Sequence, residues 1–186
     1  SDRLHLPLES RDLLAAWIVE GTPLGDPSTA VTAPPADDSL AEVDLEIRMT
    51  DRYVPTFTDA ENPDNEYRCF YLDPNNDEDV FVSGMHPLVD NPALVHHVVL
   101  FSVPFSDVPD DYDESLGVDC IDDAGGNIIG MMTAWAPGML PVRFPEGVGI
   151  KIPRGNMLML QMHYYRSGAD APEAGDQSGY QFDLVE

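Results

Sequence analysis

Leu94-Val95-His96-His97-Val98-Val99-Leu100-Phe101-Ser102-Val103 is an apolar, β-branched run with two adjacent histidines set into it. Its composition reads as a buried strand. Met157-Leu158-Met159-Leu160-Gln161-Met162-His163-Tyr164-Tyr165 is a second run of the same kind, again carrying a histidine. Around these two, Val43, Leu45, Ile47 and Met49 alternate with Asp44, Glu46 and Arg48, the period of a half-buried strand. Further strands are expected over 66–72, 80–84, 128–135, 147–152 and 180–185. The loops between them are rich in Pro, Gly, Asn and Asp, and no solenoid-length repeat is visible. About eight short strands in this pattern predict an all-β fold, an antiparallel β-sandwich or jelly roll.

Ahead of the strands, residues 1–21 predict a single short helix. Ser10 is placed to cap it, Leu13, Leu14, Trp17 and Ile18 lie along one face, and Gly21 is placed to end it. Residues 22–42 are rich in Pro, Ala, Ser and Asp and read as a linker. The sandwich is therefore expected over 43–186.

The chain has 186 residues, with 34 Asp+Glu against 9 Lys+Arg and a formal charge of −25. Such a charge repels phosphate backbones and anionic bilayers, which argues against a nucleic-acid or membrane-surface binder. No apolar stretch reaches the roughly 18 residues of a membrane helix. With 43% hydrophobic residues the chain can nevertheless build a core. The acidic runs 73–79 and 107–114 read as solvated loops. Asp73, Asn75, Asp77 and Asp79 have alternating oxygen ligands, but without the central glycine and closing glutamate of a calcium loop. Calcium is therefore not expected.

The histidines are the informative residues. A ring inside an apolar strand must have its nitrogens satisfied, because an unpaired buried polar group costs about 1–3 kcal/mol. One such histidine suggests a structural hydrogen bond. His96, His97 and His163 in two strands suggest a metal, since imidazole is its commonest ligand. Adjacent residues on a regular strand face opposite ways, so His96 and His97 reach one ion only across a bulge or at a strand end. Three imidazoles without a thiolate suit zinc or copper, and a zinc site with an open position would be hydrolytic. The many methionines, among them Met85, Met132, Met159 and Met162, read mainly as core. His86, in Met85-His86-Pro87, reads as a surface loop residue. Cys69 and Cys120 form no C-x-x-C pair, and stand either as free thiols or as one disulfide. No leader is recognisable before Ser1, which fits a processed or partial chain.

Several segments taken together resemble the amino-terminal domain of the copper type II, ascorbate-dependent monooxygenases, the peptidylglycine α-hydroxylating and dopamine β-monooxygenase group. They are Tyr67-Arg68-Cys69, Val95-His96-His97-Val98-Val99-Leu100-Phe101, Ala134-Trp135-Ala136, Pro141, Arg143, Pro145-Glu146-Gly147-Val148-Gly149 and Leu160-Gln161-Met162-His163-Tyr164. The resemblance covers roughly 43–186. It implies that His96, His97 and His163 bind one copper ion, the electron-transferring CuH of that family. It also implies a Cys69–Cys120 disulfide, hence an extracytoplasmic (periplasmic or secreted) protein. Gln161 stands where a glutamine has been proposed on the electron route.

The departures shape the expected function. The family's second copper, CuM, uses a His-x-His pair and a methionine on a second sandwich, and no His-x-His occurs here. The stretch 6–18 is similar to the closing helix of bacterial c-type cytochrome domains, yet no haem-attachment motif is present. The expectation is thus the copper electron-transfer segment of a larger, bacterial O2-dependent hydroxylase. Its partners would be a CuM-like domain and a cytochrome domain in the same protein. Electrons would come from ascorbate or a haem domain, and the substrate would be a small molecule or peptide. A non-catalytic copper carrier and a calcium-containing carbohydrate-binding jelly roll are the alternatives.

Overall fold

The alternating pattern resolves into ten strands in the computed structural model, which describes residues 6–29, 39–40, 42–120, 130–166 and 175–185. These are β1 (Leu45–Arg48), β2 (Asn65–Leu72), β3 (Val80–Leu88), β4 (Val95–Pro104), β5 (Val118–Asp119), β6 (Met131–Trp135), β7 (Val142–Arg143), β8 (Ile150–Ile152), β9 (Asn156–Tyr165) and β10 (Gly179–Leu184). The expected all-β sandwich is present. The excess over eight comes from β5 and β7, each two residues long and too short to leave a period in the sequence. Residues 128 and 129 of the expected 128–135 strand lie outside the described residues.

The strands form two antiparallel five-stranded sheets. Sheet 1 runs β1-β10-β3-β7, with β8 also on β3, and sheet 2 runs β5-β2-β9-β4-β6. β9 lies at the centre of sheet 2, paired with the whole of β2 on one side and with β4 on the other. One face of each strand supplies the interior: Phe70 and Leu72 from β2, Val98 and Leu100 from β4, Leu158, Leu160, Met162 and Tyr164 from β9. Sheet 1 answers with Ile47, Val82, Met85, Tyr180 and Phe182. Each fully buried side chain of this size contributes about 1.5–3 kcal/mol, so the interior fixes the register of both sheets.

A second, smaller apolar cluster lies on the outer face of sheet 2. Cys69, Phe101, Cys120 and Met159 are buried in it, with Val99, Val103 and Val118 against them. Cys69 and Cys120 are joined as a disulfide across 51 residues, with Cα atoms 5.9 Å apart. It fastens the β5 segment over β2. A closed loop of that size stabilises by about 4 kcal/mol on chain-entropy grounds. The Cys69→Ser, Cys120→Ser double variant is therefore expected to lose about 3–4 kcal/mol in urea denaturation. An unchanged midpoint would show that the bridge does not constrain the chain.

The chain divides into two units, 1–36 and 37–186. In the first, the helix α1 spans Leu8–Val19 and none of its residues is buried. Ser10 does not cap it. The N-cap is Pro7 and no side chain caps the end, so Ser10 lies inside the first turn. Pro7 wins because its fixed φ suits a helix entrance, and the helix starts three residues earlier than a Ser10 cap would place it. Gly21 does end the helix. Its φ is +83°, its N–H donates to Ile18 O at 3.1 Å, and Thr22 N–H donates to Trp17 O at 3.0 Å. That is the paired closure a left-handed glycine permits. Of the 22–42 stretch, the described part contains one 3-10 turn, Pro27–Thr29.

Candidate metal centre

The β4–β9 ladder contains a bulge at the paired histidines. Val95 registers with Tyr164 and His97 with His163, so two residues of β4 face one of β9. The extra residue is His96. A bulge of this kind turns consecutive side chains to the same side. Val95 and Val98 accordingly point into the core, while His96 and His97 both lie on the outer face of sheet 2 beside His163. The objection from strand alternation is resolved by this one inserted residue.

The three Nδ1 atoms converge. His96 to His97 is 3.2 Å, His96 to His163 is 3.1 Å, and His97 to His163 is 3.0 Å. Among the described residues this is the one group of three or more His, Cys, Asp or Glu side chains with ligand atoms within 4.8 Å of one another. His163 is buried, His97 half-buried and His96 exposed. A single proton can bridge one pair of nitrogens, leaving the third lone pair opposed. A cation at about 2 Å from each, the usual metal–imidazole distance, satisfies all three. The donor set fits a metal.

The surroundings hold the rings ready for it. His163 Nε2 lies 2.8 Å from Asn65 Oδ1. A carboxamide oxygen can only accept, so the proton resides on Nε2 and Nδ1 is left bare. Tyr67 stacks on the His163 ring, with centroids 4.2 Å apart and planes 4° from parallel. It meets His97 edge-on at 6.2 Å. Tyr67, His163 and His97 stand in one row across β2, β9 and β4. Burial, and then the neighbouring His97 and His96, push the His163 imidazole down to about 4. Burial and the His96 charge lower His97 also. At neutral pH the His163 nitrogen therefore needs no proton removed before it binds a cation.

Gln161 occupies the same outer face of β9, two residues from His163. Its amide donates to Cys120 O at 3.2 Å, which ties it to the disulfide. His86 lies in sheet 1 on β3, opposite Gln181 of β10, and is not part of the cluster. It is a strand residue rather than a loop residue, and its Nδ1 is buried without a partner among the described residues. The acidic stretch 73–79 serves local structure. Asp73 Oδ1 accepts from Asn75 N–H at 2.7 Å, and Asp79 accepts from Lys151 Nζ at 3.0 Å and Arg154 N–H at 2.9 Å.

Asn65 carried no functional signal in the sequence, and Tyr67 stood only in a family-matching segment, with no role of its own. Their roles follow from the β2–β9 register, which sets Tyr67 against His163. A histidine deep in one strand could have been asked for its partner on the next, but only once the pairing was known.

The curated relatives that match include peptidyl-glycine alpha-amidating monooxygenases A and B of Xenopus laevis, each 27% identical over 144 residues. The alignments cover 76% of this chain and 14% and 15% of those proteins. The chain thus spans about one-seventh of the length of these relatives. A family model, "Copper type II ascorbate-dependent monooxygenase, N-terminal domain", matches residues 51–170, a span that contains β2 to β9 and all three clustered histidines. This chain belongs to the copper type II ascorbate-dependent monooxygenase family.

Proposed function

We propose that this chain holds one copper ion on Nδ1 of His96, His97 and His163 and serves as the electron-transfer domain of an O2-dependent copper monooxygenase. The observation that carries the reading is the β-bulge that turns three imidazole nitrogens onto one point within 3.2 Å. Copper, when bound there, supplies single-electron cycling between its two common oxidation states, which zinc does not. The chain's own residues do the rest. Asn65 keeps the His163 proton on Nε2, Tyr67 packs the ring in place, and the half-buried and exposed rings of His97 and His96 leave the centre open at the surface. Gln161, fixed to the Cys120 carbonyl, is the candidate for an electron route out of the centre.

The finer assignments belong to the same proposal. A CuM-like domain elsewhere in the natural protein completes the hydroxylase. Ascorbate or a haem domain supplies the electrons, with α1 belonging to a cytochrome-like unit. A peptide or small molecule is hydroxylated, and the protein works outside the cytoplasm, a reading the disulfide supports. No helix of the described residues is long and apolar enough to cross a membrane.

A metal titration of purified chain tests the reading: one equivalent of Cu(II) is expected to bind, with all three histidines required. Asn65→Leu gives a second check. Losing an outer partner of a ligating imidazole is expected to weaken copper binding about 10- to 100-fold in a competition titration. Thermal stability of the metal-free protein should change little, because Asn65 is partly exposed at the strand end. Unaltered affinity would show that the Asn65 contact does not orient His163.

A further inference from the structure

At the end of sheet 2 remote from the histidines, a groove of about 970 Å³ opens between β1 and the 105–114 segment. Tyr71, on its wall, is six residues along β2 from Asn65, so the groove is about 20 Å from the metal centre. Its lining shares no residue with the histidine cluster.

The two walls differ in one decisive respect. On the β2 side, Tyr112 folds back so that its hydroxyl accepts from Tyr71 N–H at 2.9 Å and donates to Tyr71 O at 3.3 Å. The backbone groups that β2 would offer there are consumed by a side chain. On the β1 side no described residue takes them. β1 is an edge strand, paired with β10 on one side and with no described strand on the other. Its register with β10 runs Leu45↔Phe182 and Ile47↔Tyr180, and continues in the Met49 N–H to Ser178 O bond at 3.0 Å. Antiparallel alternation then turns the N–H and C=O groups of Glu46 and Arg48 toward the groove. An open edge of this kind is a template for another strand.

The lining selects the strand. Leu45, Val108 and Met157 give it apolar patches, and Asp73, Asp113 and Glu114 bring three carboxylates beyond the Glu46–Arg48 pair. Arg48 is the one cation of β1, and it is paired with Glu46 at 2.9 Å. A second copy of this chain would bring another charge of −25 to the contact and is disfavoured.

We propose that this groove is a second binding site, which takes an extended basic polypeptide segment as an added strand on β1. Main-chain bonds to Glu46 and Arg48 give the affinity, and alternate side chains reaching the carboxylates give the preference for Lys or Arg. The site is independent of the copper reading.

The test uses the full chain, metal-free and copper-loaded, and a fluorescent acetyl-(Lys-Val)3-amide peptide followed by anisotropy. Saturable binding is expected in both forms, with no binding of the (Glu-Val)3 counterpart. Two N-methylated versions of the peptide decide the mode, one methylated on every Lys nitrogen and one on every Val nitrogen. Only one set of N–H groups can face β1, so one version should bind more than about tenfold more weakly and the other within about twofold of the parent. Asp113→Lys with Glu114→Lys, both exposed, should weaken the parent peptide about tenfold or more. Equal affinity of the two methylated versions would show simple charge attraction and overturn the proposal. So would absence of binding, or self-association of the chain that the peptide does not compete away. Because metal-free protein is used alongside, failure here leaves the copper assignment standing.

Discussion

Replacing His163 with alanine is expected to lower copper affinity by more than about 100-fold, beyond the loss from an outer partner alone. His163 is the pivot of the centre. It lies 3.1 Å from His96 and 3.0 Å from His97 by Nδ1, and it is the one ring fixed both by a hydrogen bond and by stacking. Without it, His96 and His97 keep two nitrogens on a bulge with nothing across the ladder to close the site. The remaining pair sits at the surface, where water replaces the lost ligand at little cost in structure but a large cost in affinity. Isothermal competition against a chelator of known strength reads the effect. A His163→Ala variant that binds one copper as tightly as the parent would place the metal elsewhere. His97→Ala should behave similarly, while the exposed His96 is expected to show the smallest loss of the three.

The second large effect concerns turnover. Residues 1–186 alone are expected to exchange electrons with ascorbate through bound copper while hydroxylating no substrate stoichiometrically. Three of the five histidines are committed to one cluster. His86 is on the other sheet, and His5 lies outside the described residues. No further group of three His, Cys, Asp or Glu ligand atoms forms among the described residues. A second metal with a ligand set suited to oxygen chemistry therefore has no evident home there. Oxygen uptake and product analysis with a glycine-extended peptide and a phenethylamine are the measurements. Coupled hydroxylation with one product per oxygen consumed would overturn the division of labour proposed for this chain.

The fold was largely readable because two sheets packed face to face impose a period of two. Val43 to Met49 shows that period plainly, and Leu158, Leu160, Met162 and Tyr164 show it again in the core-facing half of β9. The helix end was readable at Gly21, whose positive φ is a backbone requirement visible in the residue type. The helix start was not. Ser10 is a good cap in isolation, but the chain enters through Pro7, and no buried face of α1 marks where the helix must begin. β5 and β7 left no trace because two residues cannot display a period.

The candidate site divides along the same line. The three residue types were visible, and so was the obstacle that His96 and His97 should point apart. What resolved it was the shift between Val95 and His97 against β9, a relation between two strands 67 residues apart at His96 and His163. The roles of Asn65 and Tyr67 were hidden for the same reason, since they act on His163 only through the β2–β9 ladder. The 107–114 run was read as a solvated acidic loop. Its Asp and Glu are indeed exposed, and its Tyr112 is in addition bonded to β2, a contact that shapes the groove beside β1.

The most direct measurement of the central claim is the Cu(II) EPR spectrum of the chain loaded with one equivalent of copper, recorded alongside its bound-metal stoichiometry. The expected result is one copper per chain in a type 2 signal with nitrogen hyperfine structure and no intense blue absorption, bleached by ascorbate. A chain that retains no copper, or a spectrum dominated by oxygen ligands, would contradict the three-histidine centre.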